Sequence, residues 1–283
     1  MVTSSLLAID LSKPWPRGRE DLLKSLASLS DQALSYLDQD LSNSVRASLD
    51  PSVFSQRLNL ELPSEGRGVE EVLAHATAVL SAAPSTSGPR FFNQLFAGRD
   101  PIGAPVDMLA SLGNHSMYTY KAAGALILIE NLLIQTLGER VGYQQCGGLF
   151  APGGSLSNLV AMLCARDAIS SDYKENGLPQ GCRVYTSSES HYSIKKAAGV
   201  IGIGRANVIE ISVDEEGRLC PKDLRAHIEK DRAEGLTPLM INATAGTTVR
   251  GAFDPFVEIA KVAKEFGVWF HIDGAFEIGR AHV

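Results

Sequence analysis

The strongest constraint on the fold is an alternation of two patterns along the second half of the chain. From about residue 147 onward, short runs of apolar and β-branched residues alternate with segments whose apolar residues keep helical spacing. The runs that predict strands are CRVYTSS at 182–188, ANVIEISV at 206–213, PLMINATA at 238–245 and VWFHIDGAF at 268–276. Strands alternating with helices predict an α/β fold with a mostly parallel sheet and helices on both faces.

The first part of the chain has a different pattern. Residues 1–65 mix short helical stretches with prolines, which predicts a helical N-terminal arm, and residues 66–283 are predicted to form the larger domain. Within that domain, KAAGALILIENLLIQTLGER at 121–140 is apolar on most of its helical circumference. This pattern predicts one helix that is buried within a domain or in a dimer interface.

Composition and charge exclude several classes of protein. Hydrophobic residues make up 45% of the chain and charged residues 20%, which is typical of a packed globular protein. The net charge is −6, and no block of lysine or arginine is long enough to follow a phosphate backbone. Nucleic acid is therefore a disfavoured partner, and a small molecule is the expected one.

Three features predict a cytoplasmic protein without a membrane span. The longest purely apolar stretch, AAGALILI at 122–129, is far shorter than the ~20 residues that cross a bilayer. The first residues, MVTSSLLAIDLSK, lack the pattern of a secretory signal peptide. The four cysteines are too widely spaced for a metal or redox pair, so reduced thiols are expected.

The first loop that could contact a ligand is APGGSLSN at 151–158, because ligands of parallel sheets bind where the strands end and the loops leave. Its two glycines let the backbone approach a ligand closely. Ser155 and Ser157 can cap a helix whose free N–H groups favour an anion. Taken alone, however, this loop is better explained as a plain glycine turn with a serine cap.

Two further loops carry candidate residues. His191 follows a predicted strand in TSSESHYSIKK, where it could form a structural hydrogen bond or lie flat on an aromatic cofactor. Thr244, Thr247 and Thr248 surround Gly246 in the next loop, where their hydroxyls could face a ligand or simply be satisfied within a turn.

The run HID places His271 and Asp273 on the same face of the last predicted strand, because side chains alternate along a strand. A metal site is disfavoured, since no third ligand accompanies these two at a recognisable spacing. A buried aspartate beside a cationic heterocycle is the preferred interpretation, because burial without a partner would be costly.

Six segments in this order resemble the group II pyridoxal-phosphate-dependent amino-acid decarboxylases, the family of glutamate, cysteine sulfinate and aromatic amino-acid decarboxylases. The resemblance runs from Arg90 to Phe276 and is strongest toward the enzymes of acidic substrates. The segments are RFFNQLFAGRDPIG, MYTYKAAGALILIE, GLFAPGGSLSN, TSSESHYSIKKAAGVIGIG, NATAGTTVRGAFDP and WFHIDGAF. The fold it implies is the fold-type-I pyridoxal-phosphate-dependent transferase-like fold.

The resemblance implies roles for five residues in binding pyridoxal 5'-phosphate. Gly154 and Ser155 match the positions that hold the phosphate, and His191 matches the imidazole that stacks on the pyridine ring. Thr244 matches a threonine near the ring. Asp273 matches the carboxylate that pairs with the ring nitrogen, so that His191 and Asp273 are the expected catalytic residues.

A further segment matches the part of the family that contacts the substrate. Asn93, Gln94 and Phe96 fall where the family reaches the substrate. Phe96 looks like the cysteine sulfinate decarboxylase version of a position that is smaller in glutamate decarboxylases. A short acidic substrate, aspartate or cysteine sulfinate, is therefore expected to be preferred over glutamate.

The resemblance implies decarboxylation of an acidic L-amino acid by a protein that is a homodimer at full length. The family's lysine that binds the cofactor covalently has no match here, and neither does its smaller C-terminal domain. The 283-residue chain is thus expected to be a C-terminally truncated fragment that is inactive alone. Two alternatives stay open, which are a non-catalytic pseudoenzyme and another reaction on the same scaffold, such as transamination or carbon–sulfur cleavage.

Overall fold

The structure, a computed structural model, describes residues 19–42, 50–61, 63–92, 98–169 and 172–276. The chain divides into two compact units, residues 1–114 and residues 115–283. The boundary predicted near residue 65 stays a prediction. Among the described helices, none combines the length and the apolar character that crossing a membrane requires.

The described part of the first unit is helical. Its helices are α1 (Arg19–Ser42), α2 (Pro51–Leu58), α3 (Val69–Ala82) and α4 (Gly103–Gly113). The start of α2 is set by Asp50, whose carboxylate accepts a hydrogen bond from the backbone N–H of Ser52 at 2.8 Å. Helices α1 and α3 pack together, and the hydroxyl of Thr77 donates to Oε1 of Gln32 between them.

The second unit contains a parallel sheet. Its strands are β1 (Cys182–Ser187), β2 (Val208–Ile211), β3 (Thr237–Thr244) and β4 (Trp269–Asp273). They lie in the order β2-β1-β3-β4, and every neighbouring pair is parallel. The α/β fold with a parallel sheet is thus confirmed. Because the strand order reverses between β1 and β3, the carboxyl ends of these strands form the switch point at which open α/β sheets bind ligands.

Helices cover both faces of this sheet, as predicted. The helices of the second unit are α5 (Tyr120–Ala123), α6 (Ala125–Arg140), α7 (Gly154–Ile169), α8 (Tyr173–Asn176), α9 (Ser193–Val200), α10 (Pro221–Ala233) and α11 (Phe256–Phe266). Met162 of α7 and Ile194 of α9 pack against Met240 of β3 in one core. The next residue of β3, Ile241, enters the opposite core with Ile259 of α11. The hydrophobic core therefore has two layers, one on each face of the sheet, because successive side chains of a strand point to opposite faces.

The segment 121–140 differs from its prediction in two ways. Gly124 has φ 55° and ψ −122°, a conformation outside the helical region, so the segment forms two helices and the prediction of one was wrong. Within the described chain, Gly138 is the one buried residue of α6, while Leu128, Ile129 and Leu132 are 55%, 51% and 65% exposed. Burial within its own domain was therefore wrong as well, and burial between two chains stays a prediction.

A buried hydrogen bond connects the sheet to α10. Tyr185 of β1 is fully buried, and its hydroxyl donates to Oδ2 of Asp231 at 2.7 Å. Burial raises the pKa of Tyr185, so the hydroxyl keeps the hydrogen that it donates. The carboxylate of Asp231 is itself only 6% exposed and depends on this donor.

Tyr185→Phe is expected to lower the free energy of unfolding by about 1–3 kcal/mol, because it leaves a buried carboxylate short of a donor. Urea denaturation followed by circular dichroism measures this loss. Tyr143→Phe is the matched control, since it removes a hydroxyl from a ring that is 63% exposed. Equal effects of the two substitutions would contradict the assignment.

Candidate active site

At its carboxyl edge, the face of the sheet that packs on α7 changes from apolar to polar. Met240 of β3 belongs to the core, whereas Asn242 and Thr244 follow it on the same face. In register beside them on β4 lie His271, next to Asn242, and Asp273, next to Thr244. Parallel pairing thus places two rows of polar side chains side by side at the edge where a ligand is expected.

The side chain of Asn158 connects α7 to this edge. It is 2% exposed, and its Nδ2 donates to Oδ2 of Asp273 at 2.9 Å. Its Oδ1 accepts from Nε2 of His271 at 2.8 Å. Nδ2 also donates to Oγ of Ser193 at 2.9 Å, and that oxygen lies 2.8 Å from Nδ1 of His191. One buried amide therefore links the two residues predicted to contact a cofactor ring.

Asp273 is the last residue of β4 and is 7% exposed. Besides the bond from Asn158, its Oδ1 accepts from the backbone N–H of Ala275 at 3.1 Å. Both donors are neutral, and no lysine or arginine in the described part of the chain forms an ion pair with it. A buried carboxylate with only neutral partners favours a cationic ligand, because a positive charge offsets its loss of hydration.

His271 lies on the same face of β4 as Asp273, as predicted, since both side chains bond to Asn158. Burial lowers the pKa of His271, and the charge of Asp273 opposes that shift in part. The neutral ring keeps a hydrogen on Nε2 and donates it to Asn158. His271 thus serves the amide rather than a metal ion.

A cluster of hydroxyl groups occupies the switch point between β1 and β3. Oγ of Ser190 accepts from Oγ1 of Thr186 at 2.6 Å and lies 3.2 Å from Oγ1 of Thr244. Asn242 donates through Nδ2 to Thr186 at 2.9 Å, while its fully buried Oδ1 has no partner among the described residues. The hydroxyl of Thr244 therefore contacts Ser190, which lies in the loop that follows β1.

The backbone at Thr244 is fixed by a second buried carboxylate. Asp254 is 3% exposed, and its Oδ2 accepts from the N–H of Thr244 at 2.7 Å. Its Oδ1 accepts from the N–H of Leu219 at 2.7 Å. Burial raises the pKa of Asp254, whereas these two backbone donors act in the opposite direction. Asp254 thus joins the end of β3 to the loop that precedes α10.

The loop before α7 reaches the same edge. Gly153 has φ 102°, a conformation that favours glycine, and Gly154 begins the helix. A Cβ atom on Gly154 would lie 2.8 Å from Cβ of Ala275, so the turn after β4 passes close to the start of α7. Ser155 is exposed in the first turn, where free backbone N–H groups favour an anion.

The structure brings together Gly154, Ser155, His191, Thr244 and Asp273 at one edge of the sheet, while their cofactor roles stay predictions. The predicted substrate residues Asn93, Gln94 and Phe96 lie outside the described residues.

Sequence reasoning missed Asn158 and Ser193. A signal existed for Asn158, because it shares the buried stripe of α7 with Met162 and Ala165 at helical spacing. A polar residue on such a stripe needs partners, and His271 and Asp273 were the polar pair on the predicted strand that could supply them.

The fold and this edge define an α/β protein of the kind whose ligand site lies at the switch point of a parallel sheet. Residues 51–280 match the family described as the pyridoxal-dependent decarboxylase conserved domain. The chain therefore belongs to the pyridoxal-dependent decarboxylase family, whose cofactor is pyridoxal 5'-phosphate.

Similar proteins agree with this assignment. Cysteine sulfinic acid decarboxylase of Mus musculus is 41% identical over 229 residues, which are 80% of this chain and 46% of that protein. Acidic amino acid decarboxylase GADL1 of Xenopus tropicalis is 36% identical over 245 residues, or 86% and 48%. A crystal structure of mouse CSAD has a TM-score of 0.84 at 37% identity and is matched over 89% of this chain and 55% of that one. The chain spans about half the length of the curated relatives that it matches.

His271 generates a pH prediction. Its lowered pKa means that the folded state binds fewer protons than the unfolded state just below the ordinary value of 6.5. The stability contributed by neutral His271 is therefore complete above 6.5 and is lost as the pH falls through the lowered pKa. His271→Gln keeps an N–H for Asn158 but does not titrate, so it should lose less unfolding free energy on acidification. Urea unfolding at about pH 7.5 and about pH 5.5 measures both losses, and equal losses would contradict the prediction.

Proposed function

We propose that this protein takes part in the decarboxylation of an acidic L-amino acid to the amine and carbon dioxide, with pyridoxal 5'-phosphate as cofactor. The observation that carries the proposal is Asp273, a buried carboxylate with neutral partners at the carboxyl edge of the sheet, in a member of this family. The relatives named for cysteine sulfinic acid and for acidic amino acids support an acidic substrate.

Two features of the chain fit the cofactor. The start of α7, with Gly153 in a glycine conformation and Gly154 against Ala275, leaves backbone N–H groups free for a phosphate. The carboxylate of Asp273 fits a protonated pyridine nitrogen, which supplies the positive charge that its present partners lack.

The residues of the site would then have separate roles toward the cofactor. When bound, the cofactor supplies a ring that accepts the electron pair left by departing carbon dioxide. Asp273 would hold a proton on the ring nitrogen through charge pairing, which raises the pKa of that nitrogen. Gly154 and Ser155 would bind the phosphate, and His191 would contact and position the ring beside Thr244.

We propose that the substrate is contacted and selected by Asn93, Gln94 and Phe96. Their support is the match of the segment NQLF to the substrate-contacting segment of the family, together with the acidic substrates in the relatives' names. The bulk of Phe96 would shorten the pocket and favour aspartate or cysteine sulfinate over the longer glutamate.

We propose in addition a cytoplasmic location and a homodimer. All four cysteines are free thiols, which is typical of proteins in a reducing compartment. The exposed side chains of Leu128, Ile129 and Leu132 on α6 support burial of that face by a second copy. The dimer is proposed for the protein at full family length, so analytical ultracentrifugation of the chain extended to that length tests it, and a monomer at all concentrations would exclude it.

Asp273→Asn tests the role of the carboxylate in cofactor binding. The parent chain should bind pyridoxal 5'-phosphate about 10- to 100-fold more tightly than its 1-deaza analogue, whose ring has carbon in place of nitrogen. The substitution should remove most of that ratio, because the amide carries no charge. Fluorescence titration gives both affinities, and Asp167→Asn, at a solvent-accessible ion pair of α7, is the matched control.

Asp273→Ala tests the role in turnover, in the chain extended with the C-terminal half of mouse cysteine sulfinic acid decarboxylase. Release of carbon dioxide from aspartate, cysteine sulfinate or glutamate is expected for the extended parent and should be abolished in the variant. Near-normal release by the variant would remove the assigned role. A product that keeps its α-carboxyl group would instead favour a different reaction on the same scaffold.

Phe96→Ser tests substrate choice in the same extended protein. The ratio of kcat/KM for cysteine sulfinate to that for glutamate should fall by about 10- to 200-fold, the equivalent of ~1–3 kcal/mol, because the pocket becomes longer. Phe92→Ser is the control, since the ring of Phe92 is 91% exposed. A parent enzyme that favours glutamate and does not respond to Phe96→Ser would refute the assignment.

A further inference from the structure

The orientation of the Asn158 amide follows from chemistry at Asp273. A carboxylate can only accept hydrogen bonds, so the atom of Asn158 that lies 2.9 Å from Oδ2 of Asp273 must be the NH2 group. The carbonyl Oδ1 then faces Nε2 of His271 at 2.8 Å and requires a hydrogen there. The neutral state favoured by burial gives His271 that hydrogen.

The same orientation determines what Ser193 does. Nδ2 of Asn158 has a second hydrogen, which it donates to Oγ of Ser193 at 2.9 Å. The hydroxyl of Ser193, which is 1% exposed, keeps its own hydrogen for Nδ1 of His191 at 2.8 Å. The backbone N–H of Ser193 also donates to Nδ1, at 3.3 Å. In neutral His191 the hydrogen therefore lies on Nε2.

We propose that Asn158 is a positioning residue through which the charge of Asp273 sets the tautomer of His191. The path consists of three hydrogen bonds: the NH2 group of Asn158 donates one hydrogen to the carboxylate of Asp273 and the other to Ser193, whose hydroxyl donates in turn to His191. His191 then offers a ligand one donor, Nε2–H. The effect on cofactor binding rests on the proposed function, whereas the hydrogen bonds themselves are formed by the protein without a ligand.

A substitution of Asn158 that keeps its shape distinguishes a hydrogen-bonding role of the amide from a role in packing alone. Asn158→Asp has nearly the same shape and can still accept from His271, but it cannot donate to Ser193. The hydroxyl of Ser193 would turn toward the new carboxylate, and its oxygen would accept from His191. The backbone N–H of Ser193 still donates to Nδ1, so the share of the Nδ1–H tautomer at His191 should rise without complete reversal, while His271 keeps its hydrogen on Nε2.

The experiment is nitrogen-15 NMR of the histidine side chains in the protein without cofactor, at a pH where histidine is neutral. The chain has six histidines, and His191→Gln and His271→Gln assign the two signals. Two-bond couplings distinguish the Nε2–H from the Nδ1–H tautomer. The parent should show Nε2–H at both residues, and Asn158→Asp should raise the share of Nδ1–H at His191 alone.

Asn158→Leu is the second variant, in case two neighbouring carboxylates prevent folding. It removes the donor without adding charge, so the hydroxyl of Ser193 is free to rotate and His191 should become a mixture of tautomers. Asn207→Leu is the matched control, because that amide bonds to the backbone oxygen of Ile203 and lies outside the path. It should leave both signals unchanged.

The NMR results either support or contradict the proposed role of Asn158. An Nδ1–H tautomer at His191 in the parent, or unchanged Nε2–H in a folded Asn158 variant, would overturn the proposal. A higher share of Nδ1–H at His191 in the Asn158 variants, in a protein that does not distinguish pyridoxal 5'-phosphate from its deaza analogue, would support the path and count against the proposed function. An unchanged tautomer at His191 in a protein that does bind pyridoxal 5'-phosphate more tightly than its deaza analogue would count against the path and leave the proposed function standing.

Discussion

The arrangement of the site depends on one constraint, a buried carboxylate that can only accept hydrogen bonds. Asp273 lies at the end of β4, where the backbone N–H of Ala275 occupies one oxygen and the amide of Asn158 the other. Every neighbour must orient itself to this acceptor, and the amide of Asn158 transmits that orientation to His271 and Ser193. The negative charge thus sets the orientation of the polar groups around it.

The second unit is constructed so that these groups cannot move far. Residues adjacent in β3 alternate between two hydrophobic cores, and α7 and α9 hold one side of the sheet while α10 and α11 hold the other. Two further carboxylates are embedded in this scaffold. Asp254 anchors the backbone at the end of β3, and Asp231 holds β1 through the hydroxyl of Tyr185. Asp254 accepts from two backbone N–H groups within the fold, and Asp231 lies 3.9 Å from Nε of Arg183, whereas Asp273 lies at the carboxyl edge of the sheet with neutral donors alone among the described residues.

Much of the fold could be predicted from the sequence, because it rests on local patterns. All four strands and the helices α7, α10 and α11 follow from alternation and helical spacing, whereas α9 between β1 and β2 was not predicted. His271 and Asp273 share a face because a strand has a period of two. The prediction was wrong at Gly124, where a single glycine divides an apolar segment that otherwise has helical periodicity. Asn158 was missed because its partners lie in another element, and periodicity within one helix does not identify what the helix packs against.

The hydrogen bond between Asn158 and Asp273 joins residues 115 positions apart in the sequence. Contacts of such large separation form slowly, because the entropy of closing a long loop opposes them until the rest of the sheet is in place. During synthesis α7 emerges before β4, so its asparagine remains without this partner while three strands are being made. The polar edge therefore cannot be completed before β4 is made, because β4 supplies both His271 and Asp273.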